Sequence, residues 1–293
     1  MTVGAFEEVA ALLPPEQSRA ALALPGTVKR QARELRLRAG RVPTVAVDGR
    51  ELPIPNCVPV TPRDLRLTME IATRSSAHTA LESVRRGYFT VKGGHRIGLC
   101  GKAAVEEGRI RNLSEISSLD LRIAHAVVGC GEGVCPALLQ AGRFRGALLM
   151  GPPGSGKTTL LRDLVRLLSD GGLRVGLCDE RGEVAALWEG LPQFDVGEHT
   201  DVLEGVPKAR GLLALLRGMN PQVLACDEVT DPADVGALET CANCGVALLA
   251  TIHAVDRADL EKKPLYRSLL ERRLFPRLVT VSQRGYEVEA LPW

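Results

Sequence analysis

Four apolar residues, Ala147–Met150, run without a break into Gly151, Pro152, Pro153, Gly154, Ser155, Gly156, Lys157, Thr158 and Thr159. A short buried strand, a glycine loop and a helix start, in that order, is a phosphate-binding loop in the context it requires. The glycines let the backbone wrap a phosphate and turn its N–H groups inward. The helix beginning near Thr158 adds the positive end of its dipole. Residues 151–159 are therefore expected to bind a nucleotide, with Lys157 reaching the β- and γ-phosphates and Thr158 ligating Mg²⁺. An accidental glycine turn would not bring the strand, the lysine and the threonine with it.

The chain after the loop alternates strands and helices, which implies a parallel sheet flanked by helices. Thr158–Ser169 reads as helix, and Leu173–Cys178, Val223–Cys226 and Val246–Thr251 read as further strands. In open α/β sheets ligands sit at the carboxyl ends of the strands, and acids fall there in this chain. Asp227 is expected to hold Mg²⁺ through its water shell, and Glu228 to polarise the attacking water. Cys178-Asp-Glu-Arg-Gly-Glu183 follows another strand, so Glu180 competes with Glu228 for that role; the bland reading is a solvated charge cluster. His253, in Thr251-Ile-His-Ala254, is placed to sense the γ-phosphate or to bridge to Glu228, although a lone histidine is usually structural. The candidate catalytic residues are Glu228, Glu180, His253 and Lys157. No Asn-Lys-x-Asp guanine reader follows the loop, which disfavours GTP, and no Leu-Ser-Gly-Gly-Gln-like segment precedes Asp227, which disfavours a transporter cassette.

The first half reads as a smaller α+β domain. Glu34–Arg38 alternates with period two, and Thr44–Val47, an Asp48-Gly49 turn and Glu51–Ile54 give a hairpin signal. Thr61-Pro62 opens a helix expected to run to about Arg86. Tyr88–Lys92, His95–Val105, Arg109–Leu113 and Leu119–Ala124 follow as strands. Residues 129–146, rich in glycine, read as the connection, which divides the chain into an amino-terminal domain at 1–140 and an ATPase domain at 141–293. The spacing of Phe6, Val9, Leu12 and Leu13 predicts an amphipathic helix.

Composition narrows the function classes. The chain carries 37 basic and 35 acidic residues and only 3% aromatics. A nucleic-acid reader would show a basic face with interleaved aromatics. No apolar stretch approaches the roughly 20 residues needed to span a bilayer. Met1–Ala23 carries three glutamates and no basic start, unlike a secretory signal. The eight cysteines then suggest a reducing compartment and mostly buried thiols. Neither Cys241/Cys244 nor Cys130/Cys135 completes a four-ligand zinc set, so no metal beyond Mg²⁺ is expected.

At the level of whole segments the sequence resembles the stage III sporulation protein AA family of endospore-forming bacteria. The resemblance is carried by Arg86-Gly-Tyr-Phe-Thr-Val-Lys-Gly-Gly-His-Arg-Ile-Gly-Leu-Cys-Gly101, by Ile116-Ser-Ser-Leu-Asp-Leu-Arg-Ile-Ala124 and by Val196-Gly-Glu-His-Thr-Asp-Val-Leu-Glu-Gly-Val-Pro-Lys208. That family is similar to the secretion ATPases of type II, type IV and pilus systems, whose acidic and histidine boxes fall at Asp179-Glu180-Arg181 and Thr251-Ile-His253. The resemblance implies a RecA-like P-loop motor domain preceded by a PAS-like domain, and a homo-hexamer. It also implies work in the mother-cell cytoplasm on membrane-embedded channel proteins leading to the forespore. After Asp227-Glu228 the family continues Ile-Gly where this chain has Val229-Thr230-Asp231-Pro232. Motors of this type need cations facing the γ-phosphate; Arg96, Arg111 and Arg122 are the candidate arginine fingers, if the amino-terminal domain closes over ATP, and Arg210 and Arg217 are the candidates from the motor half. A RecA-like ATPase that handles nucleic acid is the alternative, and would call for stacking aromatics and a basic groove. A scaffold that binds nucleotide without hydrolysing it is at odds with the intact Lys157, Asp227 and Glu228.

Overall fold

The computed structural model describes residues 4–74, 87–106, 109–282 and 285–293. The chain divides into two compact units, Met1–Ala126 and Val127–Trp293.

In the first unit, helices Gly4–Ala10, Pro15–Leu22 and Gly26–Gln31 precede β1 (Ala32–Arg38). Pro14 and Pro15 split the amphipathic segment into two helices, and Phe6, Val9 and Leu13 are all buried. The hairpin β2 (Thr44–Val47) and β3 (Arg50–Pro53) follows, then helix Pro62–Thr73, β4 (Tyr88–Thr90), β5 (Arg96–Glu106) and β6 (Arg109–Arg122). All pairings are antiparallel, in the order β3-β2-β1-β6-β5-β4. Period-two patterning explains β1: Leu35 and Leu37 are fully buried. On the opposite face Arg36 and Arg38 pair with Glu34 and Glu51 at 2.7 Å each. Where alternation suggested two strands, β6 runs through as one. Register shifts at Cys100/Gly101, Lys102/Ala103 and Ala104/Val105 interrupt the period that alternation relies on.

Helix Pro62–Thr73 starts on a capping box, Thr61 with Asp64, and its chain turns left-handed at Arg74 (φ 48°); the expected continuation to Arg86 lies outside the described residues. The histidine of the Lys-Gly-Gly-His stretch has a structural use. His95 is buried; its Nδ1 accepts from the Ala124 N–H and its Nε2 faces Glu8 Oε2, both at 3.0 Å. The first helix is thereby tied to the sheet.

In the second unit, seven strands form one sheet in the order β13-β10-β14-β15-β9-β16-β17. They are β9 (Ala147–Met150), β10 (Val175–Asp179), β13 (Thr200–Glu204), β14 (Val223–Cys226), β15 (Ala247–Ile252), β16 (Arg277–Ser282) and β17 (Gly285–Ala290). Every neighbour pair is parallel except β16 with β17. Two-residue ladders, β7 (Leu139–Gln140) with β8 (Arg143–Phe144) and β11 (Leu187–Trp188) with β12 (Leu191–Pro192), lie outside it. Helix Lys157–Asp170 contributes Leu160, Leu161, Leu164 and Val165 to one core. Helices Lys208–Met219 and Pro232–Asn243 contribute Leu212, Leu215, Val235 and Leu238 to another. Strands covered on both faces read as unbroken apolar runs, and every residue of β9, β10 and β14 is buried.

The boundary at 126/127 lies ahead of the one read at 140/141. Glycine content disguised residues 129–140, whose backbone is held by helix Lys157–Asp170. Asp163 accepts from the N–H groups of Gly129 at 3.1 Å and Gly131 at 2.7 Å. Val134, Leu138 and Phe144 sit in that unit's core.

Candidate functional site

The loop from β9 reaches helix Lys157–Asp170 through Gly156, whose φ of 95° no β-carbon residue adopts comfortably. Lys157 is only 5% exposed, and its Nζ donates to the carbonyl of Pro152 at 2.8 Å. Burial lowers the Lys157 pKa, against the opposing pull of Asp227 and Glu228. Ser155 Oγ is buried with no hydrogen-bond partner. A buried ammonium resting on a loop carbonyl, beside an unsatisfied hydroxyl, fits a cradle for phosphate oxygens.

The strand order brings β14 and β15 to the same edge as the loop. Thr158 Oγ1 donates to Asp227 Oδ2 at 2.8 Å, across 69 residues of sequence. Hydroxyl and carboxylate oxygens suit a hard cation such as Mg²⁺. The other Asp227 oxygen accepts from Thr251 Oγ1, a fully buried hydroxyl. That hydroxyl in turn accepts from the Glu228 N–H at 2.8 Å. These bonds hold Glu228 at φ 48°, a left-handed conformation that costs a residue with a β-carbon and marks over-determined sites.

The Glu228 side chain is gripped from two sides, by His253 Nε2 and by the Arg181 guanidinium. Burial alone would raise its pKa; the His253 hydrogen bond and the Arg181 charge outweigh it, and the pKa is lowered. The carboxylate identifies Nε2 as the protonated nitrogen of His253, whose Nδ1 is buried without a partner. Glu180 faces elsewhere, to Lys208 Nζ at 2.5 Å. Glu180, Arg181, Asp227, Glu228 and Lys208 line a common pocket.

Asp179 ends β10, 1% exposed, and shapes the acidic segment. Its carboxylate accepts from the N–H groups of Glu183 (2.9 Å), Val184 (2.9 Å) and Ala185 (2.8 Å). Arg162, from helix Lys157–Asp170, donates to the carbonyls of Val184 at 2.6 Å and Glu183 at 2.7 Å. Asp179→Asn places an amide N–H against backbone N–H donors. It is expected to cost about 1–3 kcal/mol of stability, read as a lower urea midpoint at unchanged slope. An unchanged midpoint would show that these bonds carry no stability.

The Val229-Thr230-Asp231-Pro232 stretch begins helix Pro232–Asn243: Asp231 caps it with Asp234 in a capping box, and Pro232 occupies the first turn. Arg96, Arg111 and Arg122 all lie in the first unit. Arg96 stacks on the Tyr88 ring at 3.3 Å, Arg111 pairs with Glu106, and Arg122 with Asp120 at 3.2 Å. Cys241 is buried and Cys244 exposed. Among the described residues, no three His, Cys, Asp or Glu side chains are grouped to hold a metal. Sequence reasoning passed over Thr251 as an anchor, Arg181 as a partner of Glu228, and Lys208. All three stood in quoted motifs, but their contacts depend on which strands become neighbours.

Against known proteins, residues 15–290 match the family described as Sporulation stage III, protein AA. The stage III sporulation protein AA of Bacillus subtilis (strain 168) is 35% identical over 283 residues, covering 95% of this chain and 91% of that protein. Among solved structures, the pilus retraction motor PilT with bound ADP is similar in fold at 18% identity. Its TM-score is 0.64, and the match covers 91% of this chain and 82% of that one. The Legionella pneumophila ATPase DotB matches at 19% identity and TM-score 0.57, covering 87% and 73%. No helix among the described residues is long and apolar enough to cross a membrane.

Proposed function

The chain belongs to the sporulation stage III, protein AA family, and on that premise we propose that it is an ATP-hydrolysing motor of the secretion-ATPase type. The observation that carries the reading is the meeting of Thr158 with Asp227 at 2.8 Å beside a clamped Glu228. Residues 151–159 hold the triphosphate, and Lys157 leaves Pro152 for the β- and γ-phosphates. Thr158 and Asp227 hold Mg²⁺, which when bound offsets charge on the phosphates. Glu228 accepts a proton from the attacking water, and His253 orients Glu228. The second unit is RecA-like in this reading, and the first PAS-like, which its six antiparallel strands support. The motor works as a homo-hexamer in the mother-cell cytoplasm, docked on membrane-embedded proteins of the channel to the forespore; its likeness in fold to PilT and DotB supports a secretion-type motor.

Glu228→Gln tests the chemistry. The amide cannot take up a proton, so turnover should fall by at least about 10²-fold while ATP still binds. Normal turnover in Glu228→Gln beside a dead Glu180→Gln would move the base to the acidic segment.

A further inference from the structure

One cation of the pocket has no part in this chemistry so far. Lys208 is 3% exposed, and a buried ammonium is tolerated only when paired and hydrogen-bonded. Its backbone is fixed because it begins helix Lys208–Met219. Cys178 Sγ lies 3.8 Å from its carbonyl oxygen, and a β-carbon on Gly211 would fall 2.3 Å from the same sulfur. The helix start therefore rides on β10 in close contact. From there the ammonium meets Glu180 at 2.5 Å, two residues beyond Cys178. Asp179 grips the far side of the same turn through the N–H groups of residues 183–185. Arg181 stands between these two anchors and pairs with Glu228.

We propose that Lys208 and Glu180 form a brace that sets Arg181 against Glu228, so that Glu180 serves hydrolysis as a positioning residue while Glu228 is the base. This rests on the ATPase reading above. Arg181 is half exposed on a long stem, and a freely moving turn would let it sample many rotamers. Pinning the turn at Asp179 and Glu180 removes that freedom. The brace acts on the base rather than on residues 151–159, so its loss belongs in kcat and not in KM.

Steady-state ATP turnover of the full chain decides it, with Lys208→Met, Glu180→Gln, the double variant and Lys208→Arg. Each of the first two should lower kcat by about 10- to 10²-fold, the scale of a misplaced catalytic group, with KM for ATP little changed. The double variant should be no slower than the slower single, because coupled residues are non-additive. Lys208→Arg, which keeps the charge, should recover most of kcat. Lys208→Met is the gentler change, since Glu180 is 40% exposed and returns to water; should Glu180→Gln fail to fold around an unpaired ammonium, Lys208→Met against Lys208→Arg decides alone. Unchanged kcat in Lys208→Met overturns the brace, and so does a double variant whose losses multiply. A dead Glu180→Gln beside a fully active Lys208→Met makes Glu180 the base instead. An unsubstituted chain that does not turn over ATP overturns the ATPase reading itself, whereas turnover indifferent to Glu228→Gln overturns only the choice of Glu228 as base.

Discussion

Lys157→Ala is expected to abolish measurable ATP binding. The ammonium is nearly buried and, without nucleotide, is satisfied by a single loop carbonyl, Pro152. Exchanging that bond for oxygens of two phosphates gives charge-assisted hydrogen bonds of about 1.5–3 kcal/mol each. Losing two of them weakens binding by about 10²–10⁴-fold. The fold should survive, because alanine suits a first helical turn and leaves no buried charge behind. A fluorescent ATP analogue titrated against both proteins makes the measurement, with the urea midpoint as control for folding. Equal affinity would mean that residues 151–159 are not the nucleotide site, and every role assigned to Asp227 and Glu228 would fall with them.

The part of the fold nearest this loop was the most legible from sequence. Ala147–Met150 and Val223–Cys226 occupy the residues read for them. A strand buried on both faces is a continuous apolar run, and the site residues that follow mark its end. Edge strands carry no such signal. Thr200–Glu204, at one edge, is half-buried throughout, and Gly285–Ala290, at the other, is largely exposed; neither was read as a strand, nor was Arg277–Ser282 beside it. The site divides in the same way. Asp227, Glu228 and Lys157 were legible from local motifs. The grip of Arg181 on Glu228 and the ion pair of Glu180 with Lys208 needed β10 to lie beside β14. Strand order is set by packing over the whole unit, and no local pattern encodes it.

The largest effect is expected from the arginines. Charge builds on the γ-phosphate as it transfers, and an added guanidinium is worth about 10³–10⁵ in rate in nucleotidases that use one. In the second unit three cations near the pocket are already committed: Arg181 to Glu228, Lys208 to Glu180, and Arg162 to the backbone of Glu183 and Val184. A further cation is then sought at Arg210 and Arg217 of the second unit and at Arg96, Arg111 and Arg122 of the first. The ion pairs of Arg111 and Arg122 are exposed, and exposed pairs are worth only about 0–1 kcal/mol, so either arginine can leave its carboxylate at little cost. If ring closure delivers one of them to ATP, specific activity should rise with protein concentration and level off once assembly is complete. At that plateau, alanine at the responsible arginine should remove about 10³-fold or more of turnover while nucleotide affinity stays as it was. The other two substitutions should leave the plateau in place. Specific activity that is flat across concentration, with all three variants fully active, would rule out a finger from this unit. The unit would then be better read as the surface that docks the motor on its membrane partner.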